Sequence, residues 1–189
     1  EMCIRDSGLS GTFLQENPMN DNTKIIDLSN EFRLQKDQHY LEKSYVYGLP
    51  EYQKKTIKSA QAVANPGCFA TAIQLALLPL SNEGLLQNDV QVHAITGSTG
   101  AGVKPSATSH FSWRNNNVSW YKPFTHQHLG EINETIQALQ SDAANINFLP
   151  IRGNFTRGIF ASAYTTFDGN INDAYRMYEA YYANHPFTH

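Results

Sequence analysis

Hydrophobic residues occur along this chain in short runs separated by polar, turn-rich segments. Residues 24–28 (KIIDL) and 62–65 (AVAN) are aliphatic runs of strand length, which predicts two buried strands. Residues 89–96 (DVQVHAIT) alternate apolar with polar or mixed positions and predict a strand leading into the glycine-rich segment 96–102 (TGSTGAG). Residues 158–167 (GIFASAYTTF) return to the period of two and predict another strand.

Other segments have the pattern of helices. A turn at Pro66-Gly67, inside NPGCFATA, leads into the apolar run IQLALLPL and predicts a helix after a strand. Residues 130–141 (GEINETIQALQS) place apolar side chains on one helical face, and residues 174–185 predict a last helix that Asn172-Asp173 could cap. Strands and helices alternate without repeats, so the pattern predicts an α/β to α+β fold.

Composition narrows the classes of function. The chain has 189 residues, 41% of them hydrophobic, and a net charge of -3 without a run of lysine or arginine. This argues against nucleic acid and anionic lipid as partners, while a small phosphorylated substrate remains possible. No apolar stretch is long enough to span a bilayer and no signal peptide is recognisable, so we expect a cytoplasmic protein without a membrane partner. Cys3 and Cys68 are too few for a disulfide framework.

Both ends of the sequence are unusual. Residues 1–7 (EMCIRDS) fit none of the patterns that follow, and we interpret them, with Cys3, as a non-native leader. The last residues, NHPFTH, have no closing polar segment, from which we expect that the native chain continues.

Cys68 lies at the start of the predicted helix after Pro66-Gly67. The unpaired backbone N–H groups and the dipole at a helix N-terminus both favour thiolate over thiol, which predicts a reactive cysteine. The alternative is a cysteine packed as a small hydrophobic side chain, because free cysteine is among the most buried residue types. The position alone leaves both interpretations open.

The segment HQHLGE offers His126, His128 and Glu131 as partners for a nucleophile. In an extended segment the two histidines would point the same way, and Glu131 would lie at a helix start. The alternatives are a pair of surface histidines or a metal site completed by His93, His110 or Glu131. Those residues lack tight ligand spacing, so no metal is expected.

Further candidates for ligand contact are the glycine-rich segment and two arginines. Bare backbone in TGSTGAG could approach a ligand, although a lone glycine cluster is usually only a loop. Arg33 (NEFRL) and Arg157 (FTRGI) could each bind a carboxylate or phosphate with two hydrogen bonds, although exposed arginines mostly serve solubility.

Taken together, the chain resembles the N-acetyl-gamma-glutamyl-phosphate reductase family of arginine biosynthesis. The resemblance runs from about Gly8 to the C-terminus and rests on six motifs in the family's order and approximate spacing: IIDLSNEFRL, YVYGLPE, ANPGCFATA, TGSTGAG, HQHLGEI and FLPIRGNFTRGIF. Members reduce an acyl phosphate to an aldehyde with NADPH and release phosphate. The resemblance therefore implies an NADP-dependent oxidoreductase with a small-molecule substrate, active as a homo-oligomer.

The resemblance also implies roles for single residues. Cys68 matches the family's nucleophile, which forms a thioester, and His126 matches the acid/base residue of a motif usually written His-Arg-His. The motif departs from the family at Gln127, where arginine is usual, and at Gly130, where proline is common. Substrate orientation and charge are assigned to Arg33, His128, Glu131 and Arg157, and cofactor contact to Gly97, Ser98, Gly100, Ala101 and Gly102.

By the same resemblance, residues 8–67 correspond to the last part of a Rossmann-like dinucleotide-binding domain. Residues 68–189 correspond to a mixed-sheet catalytic and dimerisation domain of the semialdehyde dehydrogenase type, truncated at its C-terminus. No glycine-rich pyrophosphate-binding turn precedes Gly8. We therefore expect an internal fragment with little or no reductase activity alone.

Several alternatives remain open at this stage. An aminoadipyl-phosphate reductase of lysine biosynthesis is hardly separable by sequence, the acyl cap could be acetyl or succinyl, and aspartate-semialdehyde dehydrogenase also uses a cysteine on an Asn-Pro turn. A cysteine hydrolase would use Cys68 and His126 as a dyad with water as acceptor. A non-catalytic interface fragment would use the tyrosines of AYRMYEAYY, although such a stripe is more often ordinary packing.

Overall fold

A computed structural model describes residues 8–102 and 104–189, so the interpretation of residues 1–7 and Cys3 as a leader lies outside the described part. The chain divides into two compact units. The first contains residues 8–67 and 175–189, and the second contains residues 68–174. The sequence-based division also placed a boundary between Gly67 and Cys68, but it assigned residues 175–189 to the second domain.

The first unit is built on a small mixed sheet. Its strands lie in the order β1-β4-β3-β2, with β1 and β3 parallel to β4 and β2 antiparallel to β3. Phe32, Tyr45, Ala62 and Ala64 form its buried core, in which the rings of Phe32 and Tyr45 stack with centroids 4.2 Å apart. The elements of this unit are α1 (Ser10–Glu16), β1 (Ile25–Asp27), β2 (His39–Tyr40), β3 (Lys43–Tyr47), α2 (Pro50–Ser59) and β4 (Ala62–Ala64).

The motif IIDLSNEFRL forms a hydrogen-bonded network in the first unit. The Asp27 carboxylate accepts hydrogen bonds from the hydroxyls of Ser10 at 2.6 Å and Ser29 at 2.7 Å. The Glu31 carboxylate accepts the backbone N–H groups of Ser10 and Gly11, each at 2.9 Å, at the start of α1. The acidic residues of the motif therefore tie α1 to the end of β1.

The tyrosine-rich tail packs against α2. Tyr181 donates its hydroxyl to the carbonyl oxygen of Glu51 at 3.1 Å, and Lys54 Nζ donates to the carbonyl oxygen of Asn184 at 3.1 Å. The tail follows α6 (Ile171–Tyr182), the predicted last helix. The predicted cap was wrong: Asn170 accepts the N–H of Asp173 at 3.0 Å, because the helix begins earlier than the periodicity indicated.

The second unit holds a four-stranded mixed sheet with helices on one face. The strand order is β6-β7-β5-β8, with β5 and β7 parallel and the outer pairs antiparallel. Helices α3 and α5 pack on the face that carries Val90, Val92, Ala94, Ile146 and Phe148, and together they enclose the core. The elements are α3 (Cys68–Asn82), β5 (Val90–Thr96), α4 (Phe111–Arg114), β6 (Ser119–Trp120), α5 (His128–Leu139), β7 (Ile146–Arg152) and β8 (Ile159–Tyr164).

The structure confirms the mixed α/β to α+β class and all the strands and helices listed above from periodicity. It differs at TGSTGAG, where Ser98–Ala101 forms a short 3-10 helix rather than an open loop. Strands β3 and β7 were not predicted as separate elements. No helix among the described residues is long and apolar enough to cross a membrane.

Candidate active site

Cys68 is the first residue of α3, and its side chain is exposed. Pro66 and Gly67, which precede it, are buried and form the connection from β4 into the helix. The residue after it, Phe69, is only 1% exposed and anchors this end of α3 in the core. The turn thus buries its neighbours and leaves the thiol accessible, unlike a cysteine packed as a small hydrophobic side chain.

His126 lies in an aromatic cluster beside this end of α3. Its ring contacts those of Phe69, Tyr121 and Phe148 edge-on, with centroids 5.4, 5.7 and 5.5 Å apart. The ring of His128 is 4.7 Å away. Because Phe69 follows Cys68 directly, the cluster brings the predicted nucleophile and the predicted acid/base residue into one neighbourhood.

The surroundings of His126 keep its imidazole neutral. Burial, with smaller contributions from the charges of His128 and Lys122, lowers the pKa of His126 to about 4, and the charge of Glu131 opposes this shift. Its Nδ1 accepts the backbone N–H of His128 at 3.2 Å, so the proton of the neutral ring is on Nε2. A thiolate–imidazolium ion pair between Cys68 and His126 is therefore unfavourable, and the neutral His126 ring can donate from Nε2.

Tyr121 contacts both His126 of this cluster and the guanidinium of Arg152. The guanidinium carbon of Arg152 lies 4.6 Å from the centre of the Tyr121 ring. Burial raises the pKa of Tyr121, the charge and a hydrogen bond of Arg152 oppose this rise, and the charge of Cys68 adds to it. Tyr121 is thus within electrostatic reach of both the thiol and the guanidinium.

His128 and Glu131 are both buried on the first turn of α5. His128 Nε2 is 3.9 Å from a carboxylate oxygen of Glu131, and the Glu131 carbonyl oxygen accepts a hydrogen bond from Gln74 at 3.1 Å. The expectation of an extended HQH segment was wrong, since Gln127 has helical dihedral angles and His128 begins the helix. The helical start, rather than a strand, brings the two imidazoles together.

The two predicted arginines occur in different surroundings. Arg33 belongs to the first unit, is 8% exposed, and donates from Nη2 to the carbonyl oxygen of Leu28 at 3.2 Å. Arg157 belongs to the second unit and is exposed, in the loop between β7 and β8. Their roles in substrate binding stay predictions.

The predicted cofactor segment is bonded inside the second unit. The N–H groups of Gly97, Ser98 and Thr99 donate to the carbonyl oxygens of Gly158, Phe155 and Thr156 at 2.9, 2.8 and 3.2 Å. Those of Gly100 and Gly102 donate within the segment. A Cβ on Gly97 would meet the Thr156 carbonyl oxygen at 2.6 Å, which explains glycine there by packing. Gly100 and Gly102 are exposed, and Ser98 and Ala101 are partly exposed.

Among residues 8–102 and 104–189, no group of three or more His, Cys, Asp or Glu side chains could hold a metal ion.

Sequence reasoning missed Tyr121 and Arg152. The two side chains come together only through tertiary placement, and Tyr121 precedes the histidine motif in a segment without regular periodicity. Arg152 lies in the motif FLPIRGNFTRGIF, where period-two alternation from Phe148 would have assigned it to the core-facing side of a strand.

The comparison with family models decides the family. Residues 68–189 match the model described as semialdehyde dehydrogenase, dimerisation domain. The chain belongs to the semialdehyde dehydrogenase family. The matched range begins at the cysteine that opens α3 and includes the histidine cluster.

Two curated relatives share one name. A protein of Flavobacterium johnsoniae named N-acetyl-gamma-glutamyl-phosphate reductase is 58% identical over 188 residues, which is 99% of this chain and 58% of that protein. A protein of Parabacteroides distasonis with the same name is 54% identical over 177 residues, 93% of this chain and 54% of that protein. This member of the semialdehyde dehydrogenase family therefore spans a little more than half the length of these relatives.

Solved structures agree at the level of fold. Aspartate semialdehyde dehydrogenase II from Vibrio cholerae superposes with a TM-score of 0.57 at 15% identity, covering 80% of this chain and 51% of that one. Aspartate semialdehyde dehydrogenase with NADP from Candida albicans gives a TM-score of 0.55 at 9% identity, covering 90% and 53%. At these identities the likeness establishes the semialdehyde dehydrogenase fold.

Proposed function

We propose that these residues belong to an NADP-dependent reductase that converts N-acetyl-gamma-glutamyl phosphate to the semialdehyde and phosphate, in arginine biosynthesis. The observation that carries the proposal is 58% identity, over nearly the whole chain, with a relative of that name. The geometry supports it, because an exposed cysteine at a helix start directly precedes Phe69, whose ring contacts that of a buried, neutral histidine.

Cys68 is the nucleophile in this proposal. Its thiolate, favoured by the N-terminus of α3, attacks the acyl carbon, and the bond to phosphate breaks to leave a thioester on sulfur. NADPH, when bound, supplies the hydride that turns an acyl thioester into an aldehyde. The tetrahedral adduct of the reduced acyl group with sulfur then collapses: its carbon–sulfur bond breaks, the aldehyde leaves, and Cys68 returns as the thiolate.

His126 stabilises charge on the reacting oxygen. With Nδ1 occupied by the His128 N–H, the neutral ring presents its Nε2–H to the oxygen that becomes negative in the tetrahedral adduct. A neutral imidazole is a hydrogen-bond donor rather than a strong acid, which modifies the proton-transfer role expected from the sequence. His128 and Glu131 orient this ring and its surroundings.

The segment 96–102 fits a limited contact with the cofactor. Its amides at Gly97, Ser98, Thr99, Gly100 and Gly102 are already bonded within the unit, so they cannot form a cradle for a pyrophosphate. The exposed backbone at Gly100 and Gly102 allows a flat group to approach closely. We therefore expect these 189 residues to bind NADPH only weakly. The cytoplasmic location of the protein stays a prediction.

We also propose that a second copy of the chain is a partner, in keeping with the description of the matched family as a dimerisation domain. The sheet face opposite α3 and α5 carries Trp120, Phe160 and Tyr164, which are 64%, 68% and 62% exposed. Such large aromatic side chains are typical of buried protein–protein interfaces.

The first test is the pH dependence of Cys68 alkylation by iodoacetamide, followed at the Cys68 peptide by mass spectrometry. We expect a reactive pKa below the free-thiol value of about 8.5, and a higher one in His126→Ala, which loses the Nε2–H donor. An unreactive or unshifted thiol in the wild type would contradict the role of Cys68.

The second test measures activity in a chimera. The matched residues of this chain replace their counterparts in the Flavobacterium johnsoniae relative, and reduction is assayed with N-acetyl- and N-succinyl-glutamyl phosphate and with aspartyl and aminoadipyl phosphates. NADPH oxidation with a glutamyl phosphate that is lost in Cys68→Ser supports the proposal. Hydrolysis of the acyl phosphate without any effect of NADPH would favour the cysteine hydrolase.

A further inference from the structure

A cavity in the first unit has no role in the proposed reaction. Its volume is about 490 Å³, and it is bounded by α1, by the connection from α1 to β1, and by the hairpin of β2 and β3. Sites that bind small organic ligands commonly have volumes of about 300–1,000 Å³. All the lining residues belong to residues 8–67, so the first unit forms this cavity alone.

The hairpin places three side chains on the wall of the cavity. Tyr40 pairs directly with Lys43, and directly paired residues of an antiparallel ladder project to the same face. Tyr45 lies two residues after Lys43 on β3 and therefore shares this face. Strand pairing thus fixes the side from which two aromatic rings and one ammonium group line the cavity.

The turn of this hairpin has an unusual sequence. Leu41 and Glu42 both have positive φ, 46° and 61°, as in a type I′ turn, for which Asn-Gly and Asp-Gly are the favoured pairs. Leucine and glutamate are strained in this region of the backbone. Both side chains line the cavity, one apolar and one acidic. The strain indicates that these two side chains are used at this position.

Tyr45 carries a polar group that nothing in the free chain satisfies. The residue is 2% exposed, and its hydroxyl has no hydrogen-bond partner among the described residues. Burial, with smaller contributions from Asp27, Tyr40 and Glu31, raises the pKa of Tyr45 to about 12, so the hydroxyl stays neutral. A buried hydroxyl without a partner is costly. The cavity that Tyr45 lines is the space from which a ligand can supply this partner.

The charges around the cavity favour a cation. Asp21 and Glu42 contribute two carboxylates to its exposed rim, and Lys43 contributes one ammonium group. Two more carboxylates, those of the hydrogen-bonded network after β1, act on the hydroxyl of Tyr45. The faces of tyrosine rings also attract cations. An acyl phosphate and NADPH are anions, so this cavity favours a ligand different from those of the proposed reaction.

We propose that this cavity binds an organic cation, an ammonium or guanidinium group on a short aliphatic stem. The stem packs against Leu14, Pro18 and Met19. The cation donates a hydrogen bond to the hydroxyl oxygen of Tyr45, and the carboxylates at the rim compensate its charge. This binding site does not depend on the proposed reductase function.

The test compares probes that share a stem and differ in charge. n-Butylguanidinium, n-butylammonium and the neutral n-butylurea are each titrated into the 189-residue chain, and binding is followed by nuclear magnetic resonance. We expect at least one of the two cations to bind about tenfold more tightly than the urea, as for a charge-assisted hydrogen bond, and to lose affinity as salt is added. The cation that binds more tightly identifies the head group.

Tyr45→Phe separates a binding role from a structural one. It removes the hydroxyl and keeps the ring, so we expect the affinity for the cation to fall by about tenfold. Because the hydroxyl has no partner in the free chain, this variant should unfold at the same urea concentration as the wild type or at a higher one. Tyr175→Phe, at a tyrosine that is 64% exposed on α6, is the matched control and should change neither quantity.

The turn provides a second variant. Leu41→Asn combined with Glu42→Gly gives the turn its favoured pair, so we expect a higher urea midpoint together with weaker binding of the cation. Glu42→Gln alone removes one charge and should weaken binding without changing the midpoint. Glu179→Gln, at an exposed glutamate on α6, is its control.

Three results would overturn the inference. Equal binding of the urea and both cations would show an apolar cleft without preference for charge. Unchanged affinity in Tyr45→Phe would show that the hydroxyl is not part of the site, and the Glu42→Gln variant decides if Tyr45→Phe does not fold. Absence of binding by both cations at millimolar concentration would show that no such site exists. None of these results concerns Cys68, whose alkylation tests the proposed function separately.

Discussion

The backbone N–H of His128 donates a hydrogen bond to Nδ1 of His126 at 3.2 Å, two residues back along the chain. This contact arises because α5 begins at His128, so its first N–H groups have no partner inside the helix. The helix start therefore fixes which nitrogen of the histidine carries the proton. A hydrogen-bond acceptor in place of this N–H would require a proton on Nδ1 and would therefore hold the opposite tautomer.

His126 makes stability depend on pH. The pKa of His126 falls from 6.5 in the unfolded chain to about 4 when folded, so the unfolded state binds more protons in this window and stability falls as pH drops from 6.5 to 4. The full contribution is about 3 kcal/mol. We expect His126→Asn to remove this part of the pH dependence of urea unfolding, whereas His189→Asn, at an exposed histidine, should not.

Nuclear magnetic resonance provides an independent check on the same residue. The ring of His126 should titrate near pH 4, with the neutral form protonated on Nε2. Titration near the ordinary histidine value, or a proton on Nδ1, would contradict the assignment.

Gly97 should tolerate no side chain. A Cβ there would lie 2.6 Å from the Thr156 carbonyl oxygen and 2.7 Å from the Arg157 nitrogen, and both are backbone atoms that cannot rotate away. We expect Gly97→Ala to lower the free energy of unfolding by about 1–3 kcal/mol. Gly100→Ala is the matched control, since its Cβ meets only the Thr96 hydroxyl at 3.1 Å. Equal stability of the two variants would contradict the packing role.

The local pattern of hydrophobic and polar residues predicted the strands and helices whose sequences are themselves periodic. Alternation in DVQVHAIT became β5, with every second residue buried, and the apolar run after Cys68 became α3. Burial of one face of a strand or helix produces a periodic pattern of hydrophobic residues, whichever element packs against that face. The cap of α6 was misplaced because Asn170, Asn172 and Asp173 are all plausible caps and only the backbone path selects one.

The candidate site was predictable only in part. Cys68 and His126 became candidates because their residue types are rare and chemically suggestive, and the resemblance to a family supported them. Tyr121 and Arg152 were missed because the contact between this tyrosine and this arginine arises from strand register. The pairing of β7 with β6 and β5, together with the loop before α5, brings them together.

Asp27 should contribute strongly to the stability of the first unit. Its carboxylate is 6% exposed and accepts hydrogen bonds from two hydroxyls, those of Ser10 and Ser29. Asp27→Ala leaves both hydroxyls without this partner, and we expect a loss of about 1–3 kcal/mol in the free energy of unfolding. Asp21→Ala, at an exposed aspartate, is the control, and a loss of the same size there would refute the assignment.

The open sheet face of the second unit should mediate self-association. Phe160 is opposite Ile95 on β5, and Trp120 lies across β7 on the same face, so a charge placed at Phe160 would be buried in any face-to-face dimer. We expect Phe160→Glu to weaken dimerisation by about 2 kcal/mol or more, measured by analytical ultracentrifugation. At concentrations at which the chain is monomeric, unfolding by urea should change little, because this side chain is 68% exposed in the single chain.

Tyr175→Glu is the matched control for self-association, because Tyr175 is 64% exposed and lies on α6 rather than on the sheet. Its dimerisation should equal that of the wild type. Dimers that survive Phe160→Glu but dissociate with Tyr175→Glu would place the contact on the helix instead. If the wild-type chain stays monomeric at every concentration, the aromatic side chains of the sheet face remain exposed to solvent. The sheet face would then not be sufficient for dimerisation.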